Sequence, residues 1–262
     1  MKILLPPSEG KAAPQHDDAA QSGPSPLLDM AALTLPGLAE QREQVLRELI
    51  AASSREDAQA VLKVGVKVMA EVEANTALRE APTAPAHEIY TGVLFDALDA
   101  CSLTEEQLAL GARDVLIFSG LFGATGFTDR IPAYRLSMDV KLGELGNLGT
   151  FWKKQMKEPM EALVGDGLVI DCRSASYGKA FQPAPQQTLM VNSFTEKDGQ
   201  RKVVTHFAKH ARGELTGMLL RSSARAETIE DVVAIASQRW TTEVRPAEGR
   251  QPHQLDLIST SA

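Results

Sequence analysis

The sequence predicts an α/β protein, and three observations carry that prediction. Asp114 to Ser119 (DVLIFS) and Leu168 to Cys172 (LVIDC) are continuous apolar runs, the pattern of strands buried on both faces. Lys2 to Leu5 is a shorter run of the same kind, stopped by Pro6-Pro7 because proline removes a ladder donor. Stretches of helical periodicity lie between and after these runs, so helices and buried strands alternate.

The other elements follow in chain order. Residues 12–26 are rich in Ala, Pro, Ser, Gly and Asp and read as an exposed loop. Within 38–52, Leu38, Val45, Leu46 and Leu49 share one helical face. Residues 55–63 and 64–78 also read as helical, and Pro82 and Pro85 then break the chain. Glu88 to Ala100 joins an aromatic start to a helical end. Thr104-Glu105-Glu106 starts a helix, with Leu103 before it and Leu108 after it. Gly120 to Gly126 (GLFGATG) reads as a glycine-rich turn after its strand. Phe151 to Leu163 is helical and carries Lys153, Lys154 and Lys157. The polar turn Arg173-Ser174-Ala175-Ser176 follows the second apolar strand. Thr188 to Phe194 is a strand, and Asp198-Gly199-Gln200 a hairpin turn into Lys202-Val203-Val204. Phe207 to Ser222 and Ile229 to Ser237 are helices, and Leu255 to Ser259 is the last strand. No internal repeat or low-complexity segment interrupts this order.

Composition bounds the function. At 262 residues with 44% hydrophobic and 23% charged residues, the chain is long enough to bury a sizeable core. No run approaches the ~18 apolar residues of a membrane span. The apolar stretch at the N-terminus is too short for a signal-peptide core and belongs to the folded protein. Two cysteines, Cys101 and Cys172, exclude a disulfide framework and fit a reducing cytoplasm. The net charge of −7 argues against indiscriminate nucleic-acid binding, but the charge is uneven. Residues 1–129 carry 9 Lys/Arg against 19 Asp/Glu, residues 130–221 carry 14 against 9, and residues 222–262 carry 4 against 6. A basic central third in an acidic chain fits an anionic partner met on one surface, and it also fits ordinary fluctuation of charge along a chain.

Several segments, read together, resemble the YaaA family of peroxide stress proteins. Pro7-Ser8-Glu9-Gly10-Lys11 resembles its opening Ser-x-x-Lys loop, and Tyr90-Thr91-Gly92 its Y-T-G element. Ile117 to Gly123 resembles its strand and S-G-L-[YF]-G turn. Ile131 to Leu136, followed by Met138, resembles its P-Y-R-L-x-M element, here with Ala133 between proline and tyrosine. Phe151-Trp152, Ser174-Ala175-Ser176-Tyr177 and Lys209 to Gly213 fall where the family has its F-W, strand-end and K-x-A-R-G elements. The matches run in order along nearly the whole chain, although the opening P-P-S-E-G-K departs from the S-P-A-K-T of other members. The resemblance implies a single compact α/β domain over residues 1–262, with a mixed central sheet flanked by helices in an unusual topology. It implies a role in tolerance of hydrogen peroxide, with DNA binding as the proposed activity and a helix-hairpin-helix-like element proposed for the family.

The residues themselves leave two readings open at each place. Ser8 and Lys11 follow a strand, where a loop can offer N–H groups and an ammonium to a phosphate; the plain alternative is a solvated lysine. The loop is not a P-loop, lacking the glycines and the final Lys-Ser/Thr pair. Ser119, Gly120 and Gly123 lie at the carboxyl end of a buried strand, where ligands bind in open sheets and glycine lets a backbone approach a phosphate; a tight connection explains them equally. Tyr134 and Arg135 offer a base-stacking ring beside a bidentate phosphate grip, or a buried tyrosine beside a surface arginine. Arg173, Ser174, Ser176, Tyr177 and Lys179 gather hydroxyls and two cations after the second strand, as an anion site or as a polar turn. Lys209 and Arg212 share a helix face. His206 and His210 have metal-ligand spacing, but no third ligand can be assigned, so no metal site and no cofactor is expected. Cys172 ends an apolar strand, where an inert thiol is expected.

Two functions compete. In one, Ser8, Lys11, Arg135, Lys179, Lys209 and Arg212 line a basic groove that holds DNA with little sequence preference and a steep salt dependence. In the other, the same residues line a pocket of an enzyme acting on a small anion such as a nucleotide. A monomer without membrane association is expected in either case, and a role in iron handling or protein interaction finds no carboxylate or histidine cluster to support it.

Overall fold

Burial of three apolar runs side by side organises the molecule. The computed structural model describes residues 1–14, 26–197, 200–202 and 205–260. Its strands are β1 (Lys2–Leu5), β2 (Ala84–Pro85), β3 (Val115–Ser119), β4 (Gly123–Gly126), β5 (Arg130–Ile131), β6 (Lys141–Leu142), β7 (Gly146–Asn147), β8 (Val169–Asp171), β9 (Thr188–Lys197), β10 (Gln200–Lys202), β11 (Thr241–Arg245) and β12 (His253–Thr260). Its helices are α1 (Ala39–Ser53), α2 (Ala58–Val61), α3 (Met69–Ala74), α4 (Ala86–Ile89), α5 (Val93–Leu98), α6 (Glu105–Asp114), α7 (Leu148–Val164), α8 (Ala175–Gly178), α9 (Thr205–Arg221) and α10 (Ile229–Ala236).

The main sheet runs in the order β11-β12-β9-β8-β1-β3-β4, with β10 paired to β9. From β12 to β3 every neighbour is parallel, and β11, β10 and β4 pair antiparallel, so the sheet is mixed. The register aligns Leu4 with Leu116 and Asp171, and Ile3 with Val115 and Ile170. Paired residues of parallel strands share a face, so β1 buries Leu4 on one side and Ile3 and Leu5 on the other. That is why its neighbours read as continuous apolar runs rather than alternating ones.

Helices cover the sheet at close range. A Cβ on Gly213 of α9 would run into Leu94 O of α5, so these two helices meet backbone to backbone. In α7, the Trp152 ring and the Met156 sulfur lie under Gly123, which has a φ of +73°. Helix starts follow the sequence: Thr104 and Gln107 form a capping box at α6, as Thr228 and Asp231 do at α10. Among the described residues no helix is long and apolar enough to cross a membrane.

Two expectations are corrected, and one strand lies where none was expected. The helices expected over 55–63 and 64–78 are short pieces, α2, a 3₁₀ turn at Val66–Val68 and α3. Lys63 turns left-handed at φ 55° and Gly65, a poor helix former, is extended at φ −78° and ψ 158°, so no continuous helix runs through. The glycine-rich turn is half strand: Gly120 to Phe122 make the turn and Gly123–Gly126 return as edge strand β4. Strand β11 was not expected at all. The hairpin turn at Asp198-Gly199 and the residues Val203-Val204, with most of the loop 12–26, lie outside the described residues.

Candidate functional site

The carboxyl ends of β3, β1 and β8 lie side by side, and the loops that leave them converge. After β1, Pro6-Pro7 forbid further pairing and the chain folds over itself. Thr91 N donates to Ser8 Oγ (3.1 Å), and Ser8 Oγ donates in turn to Gly10 O. Lys11 forms an isolated bridge with Tyr90, and Ala12 N donates to Ile89 O (2.9 Å). The Ser-x-x-Lys loop is thus clamped to the segment that opens α5.

Lys11 Nζ donates to Ser8 O (2.9 Å) and Glu9 O (3.4 Å). Its ammonium lies 4.3 Å from the centre of the Tyr134 ring and 5.4 Å from that of Tyr90. Two ring faces and two backbone carbonyls hold this cation, an arrangement that compensates part of its lost hydration. The compensation is incomplete. Burial, and then the nearby Arg135 guanidinium, lower Lys11 to about 7, against the raising effect of Glu71 and Glu9.

The tyrosines present rings to Lys11 because their hydroxyls are committed inward. Leu121 N (3.2 Å) and Phe122 N (3.0 Å) donate to Ser119 Oγ. With both its lone pairs taken, Ser119 donates its own proton to Tyr134 Oη at 2.6 Å. Tyr134 Oη lies 3.0 Å from Tyr90 Oη. Ser119, Tyr90 and Tyr134 are all buried, and burial raises both phenols above their ordinary range. This chain of hydroxyls fixes the rings and carries no ionised member near neutrality.

Arg135 stands beside the lysine. Its backbone is held on both sides by Asn75, which donates to Arg135 O (2.9 Å) and accepts from Arg135 N (2.9 Å). The guanidinium donates to Glu9 O (3.0 Å), Glu71 Oε2 (3.3 Å) and Glu9 Oε2 (3.3 Å). Its side chain is 16% exposed, whereas that of Glu9 is 87% exposed. Tyr177 of α8 is close enough to Glu9 and to the buried phenols to interact with them electrostatically. Ser174 Oγ and Ser176 Oγ lie 3.3 Å apart at the start of that short helix, and Lys179 is exposed beyond them.

The other expected residues are placed differently. Gly120 and Gly123 are packing glycines: a Cβ on Gly120 would lie 2.9 Å from Leu136 O, and Trp152 Nε1 donates to Gly120 O (2.8 Å). Arg212 donates to Val191 O from Nε (3.1 Å) and Nη2 (2.9 Å), which ties α9 to β9. Lys209 is exposed one turn earlier. Arg173 is buried in an ion pair with Asp171 (2.7 Å) over the Phe118 ring. Cys172 is buried and its thiol pushed up to about 12, chiefly by desolvation. His206 and His210 are exposed, and among the described residues no group of three or more His, Cys, Asp or Glu could hold a metal. Sequence reasoning missed Glu9 and Glu71 as partners of Arg135 and Tyr90 as a wall of the lysine site. The Y-T-G element was the one signal pointing to Tyr90.

The fold is a mixed α/β sheet flanked by helices, with the Lys11 loop leaving the carboxyl end of a parallel strand and Arg135 packed beside it. The family model described as peroxide stress protein YaaA matches residues 1–245, and the chain belongs to that family. A UPF0246 protein of Streptomyces coelicolor is 42% identical over 98% of each chain. A UPF0246 protein of Corynebacterium glutamicum is 40% identical, with 90% of this chain and 91% of the relative aligned. An uncharacterized protein of Campylobacter jejuni is 29% identical over 56% of this chain and 58% of its own length.

Proposed function

We propose that this YaaA-family protein serves the cell's response to hydrogen peroxide in the cytoplasm by binding a small anionic ligand, such as a nucleotide, in the cleft formed by Lys11 and Arg135. One observation carries the reading. The Lys11 ammonium and the Arg135 guanidinium lie close enough to repel each other, and the carboxylates answering Arg135 are an 87% exposed Glu9 and a half-exposed Glu71. An anion that displaced Glu9 would meet Arg135 in a charge-assisted, bidentate geometry and would relieve the repulsion on Lys11. Ser174 and Ser176 would add hydroxyl donors from the loop after β8.

The DNA reading draws on the same residues and is the weaker for it. A duplex is held by several exposed cations spread along a groove. Of the cations expected to line one, Arg135 is matched by carboxylates, Arg212 is bound to a backbone carbonyl and Lys11 loses charge near neutrality. Lys179 and Lys209 are the exposed remainder.

Calorimetric titration with AMP and with inorganic phosphate, beside fluorescence anisotropy with labelled duplex DNA, separates the two. The expected result is AMP binding that falls about ten-fold or more in Arg135→Gln, with weak duplex binding at ~0.15 M salt. Tight, steeply salt-dependent duplex binding without binding of AMP or phosphate would refute the small-anion reading.

A further inference from the structure

The geometry around Lys11 describes more than a binding cation. We propose that Lys11 is a nucleophile that captures a small carbonyl compound bearing a carboxylate or phosphate, forming an imine through Nζ. The inference rests on the anion site read above, with Arg135 taking the charged end of the ligand.

Nζ has three positions beyond its own carbon. Ser8 O and Glu9 O take two, and the two N–H groups of a neutral amine are enough to reach both carbonyls, though more weakly than an ammonium would. A structural lysine is usually retained by a carboxylate. Here the neighbouring carboxylates, Glu9 and Glu71, hydrogen-bond to Arg135 instead. The third position is therefore the one that loses its proton, and the lone pair takes its place. The Tyr134 and Tyr90 rings wall the amine, and their hydroxyls turn away into the Ser119 chain, so neither phenol blocks it with a hydrogen bond. The charged and titratable groups facing Lys11 are Arg135 from the segment before Leu136, Glu9 from its own loop, Glu71 from α3, and the two tyrosines. Arg135 disfavours the ammonium and the two glutamates oppose it, so burial beside Arg135 outweighs them.

The step balances without an oxidant. The Nζ lone pair forms a bond to the carbonyl carbon, and the carbon–oxygen bond breaks. Both amine protons leave with that oxygen as water, and a proton from solvent on the imine nitrogen restores one N–H to Ser8 O. The product is a cationic imine beside Arg135 with an anion between them.

Wild-type protein treated with pyridoxal 5′-phosphate, or with propanal as the uncharged control, is reduced with borohydride and the modified lysines identified by peptide mass. At neutral pH the free-amine fraction favours Lys11 over a surface lysine, so Lys11 is expected to label about ten-fold or more faster than exposed Lys153 or Lys209 with either carbonyl. Inorganic phosphate is expected to slow the pyridoxal phosphate reaction while leaving propanal unchanged, and Arg135→Gln to slow pyridoxal phosphate about ten-fold and propanal by less, since losing the guanidinium both removes the anion grip and lets the Lys11 pKa rise. Labelling of Lys153 and Lys209 as fast as Lys11, with phosphate still bound calorimetrically, would overturn the imine and leave the anion site standing. Labelling of Lys11 by propanal with no binding of phosphate would uphold the nucleophile and overturn the anion site.

Discussion

Substituting Lys11 with methionine tests the electrostatics of the cleft through the stability of the whole fold. The folded lysine titrates at about 7, against an ordinary value of 10.5. Its folded-state pKa is lowered, so the unfolded chain binds more protons between these two values and stability rises with pH across that window. Below about pH 7 both states are protonated and the full cost of the charged, desolvated lysine is present. For a wholly buried group, raising the pH from about 7 to about 9.5 would recover ~3 kcal/mol. Lys11 is partly exposed, and its ring and carbonyl contacts favour the ammonium, so the recovery expected is ~1–3 kcal/mol. Lys11→Met keeps the length of the side chain and removes the titration. Urea unfolding of both proteins at the two pH values gives the double difference, which cancels the pH response of every other group. Wild type should gain on the variant by that amount as the pH rises. Parallel pH dependences would refute the lowered titration of Lys11 and the repulsion from Arg135 invoked for it.

Three further outcomes follow from packing. Gly213→Ala drives a methyl into Leu94 O, a backbone atom that cannot swing aside, and should cost about 3 kcal/mol or more in chemical unfolding; an unchanged midpoint would show that α5 and α9 are farther apart than described. Arg42 is fully buried and donates to Phe122 O (3.1 Å), Ala124 O (2.9 Å) and Thr34 O. Arg42→Met strands those carbonyls and should cost about 3–5 kcal/mol, lowering the melting temperature by roughly 6 °C or more. Cys172, with its thiol pushed up to about 12, should resist iodoacetamide and hydrogen peroxide in the native protein while exposed Cys101 reacts. Oxidation of Cys172 ahead of Cys101, read by peptide mass, would contradict its burial.

What the sequence makes legible follows from how local each signal is. β1, β3 and β8 are buried on both faces, so their apolar runs stand out, and the capping box at Thr104 is written within four residues. β11 left no such trace. It is an edge strand, Thr241–Arg245, with four of its five residues exposed, and what makes it a strand is pairing with β12. The fully buried Arg42 is equally silent, since nothing near it in sequence announces carbonyls from Thr34 and from the β3–β4 turn. In the site, the strand-end loops of Ser8, Lys11, Tyr134 and Arg135 were visible as motifs. Their division of labour was not, because it depends on contacts between distant segments. Tyr134 gives its ring to Lys11 and its hydroxyl to Ser119, and Arg173 turns from a possible ligand group into the buried partner of Asp171. The glycines of the GLFGATG segment carry the same lesson. A glycine that admits a ligand and one that admits Trp152 look alike in sequence.

The most direct test watches Lys11 itself. Nuclear magnetic resonance of protein carrying ¹³C-labelled lysine follows each side-chain ε carbon through a pH titration, with Lys11→Met supplying the assignment. The Lys11 signal should titrate near pH 7 in the free protein, far below the surface lysines, and move upward when inorganic phosphate or AMP is added because the bound anion stabilises the ammonium. A Lys11 midpoint near the ordinary lysine value of about 10.4 that no anion shifts would rule out an anion site built on a partly neutral lysine.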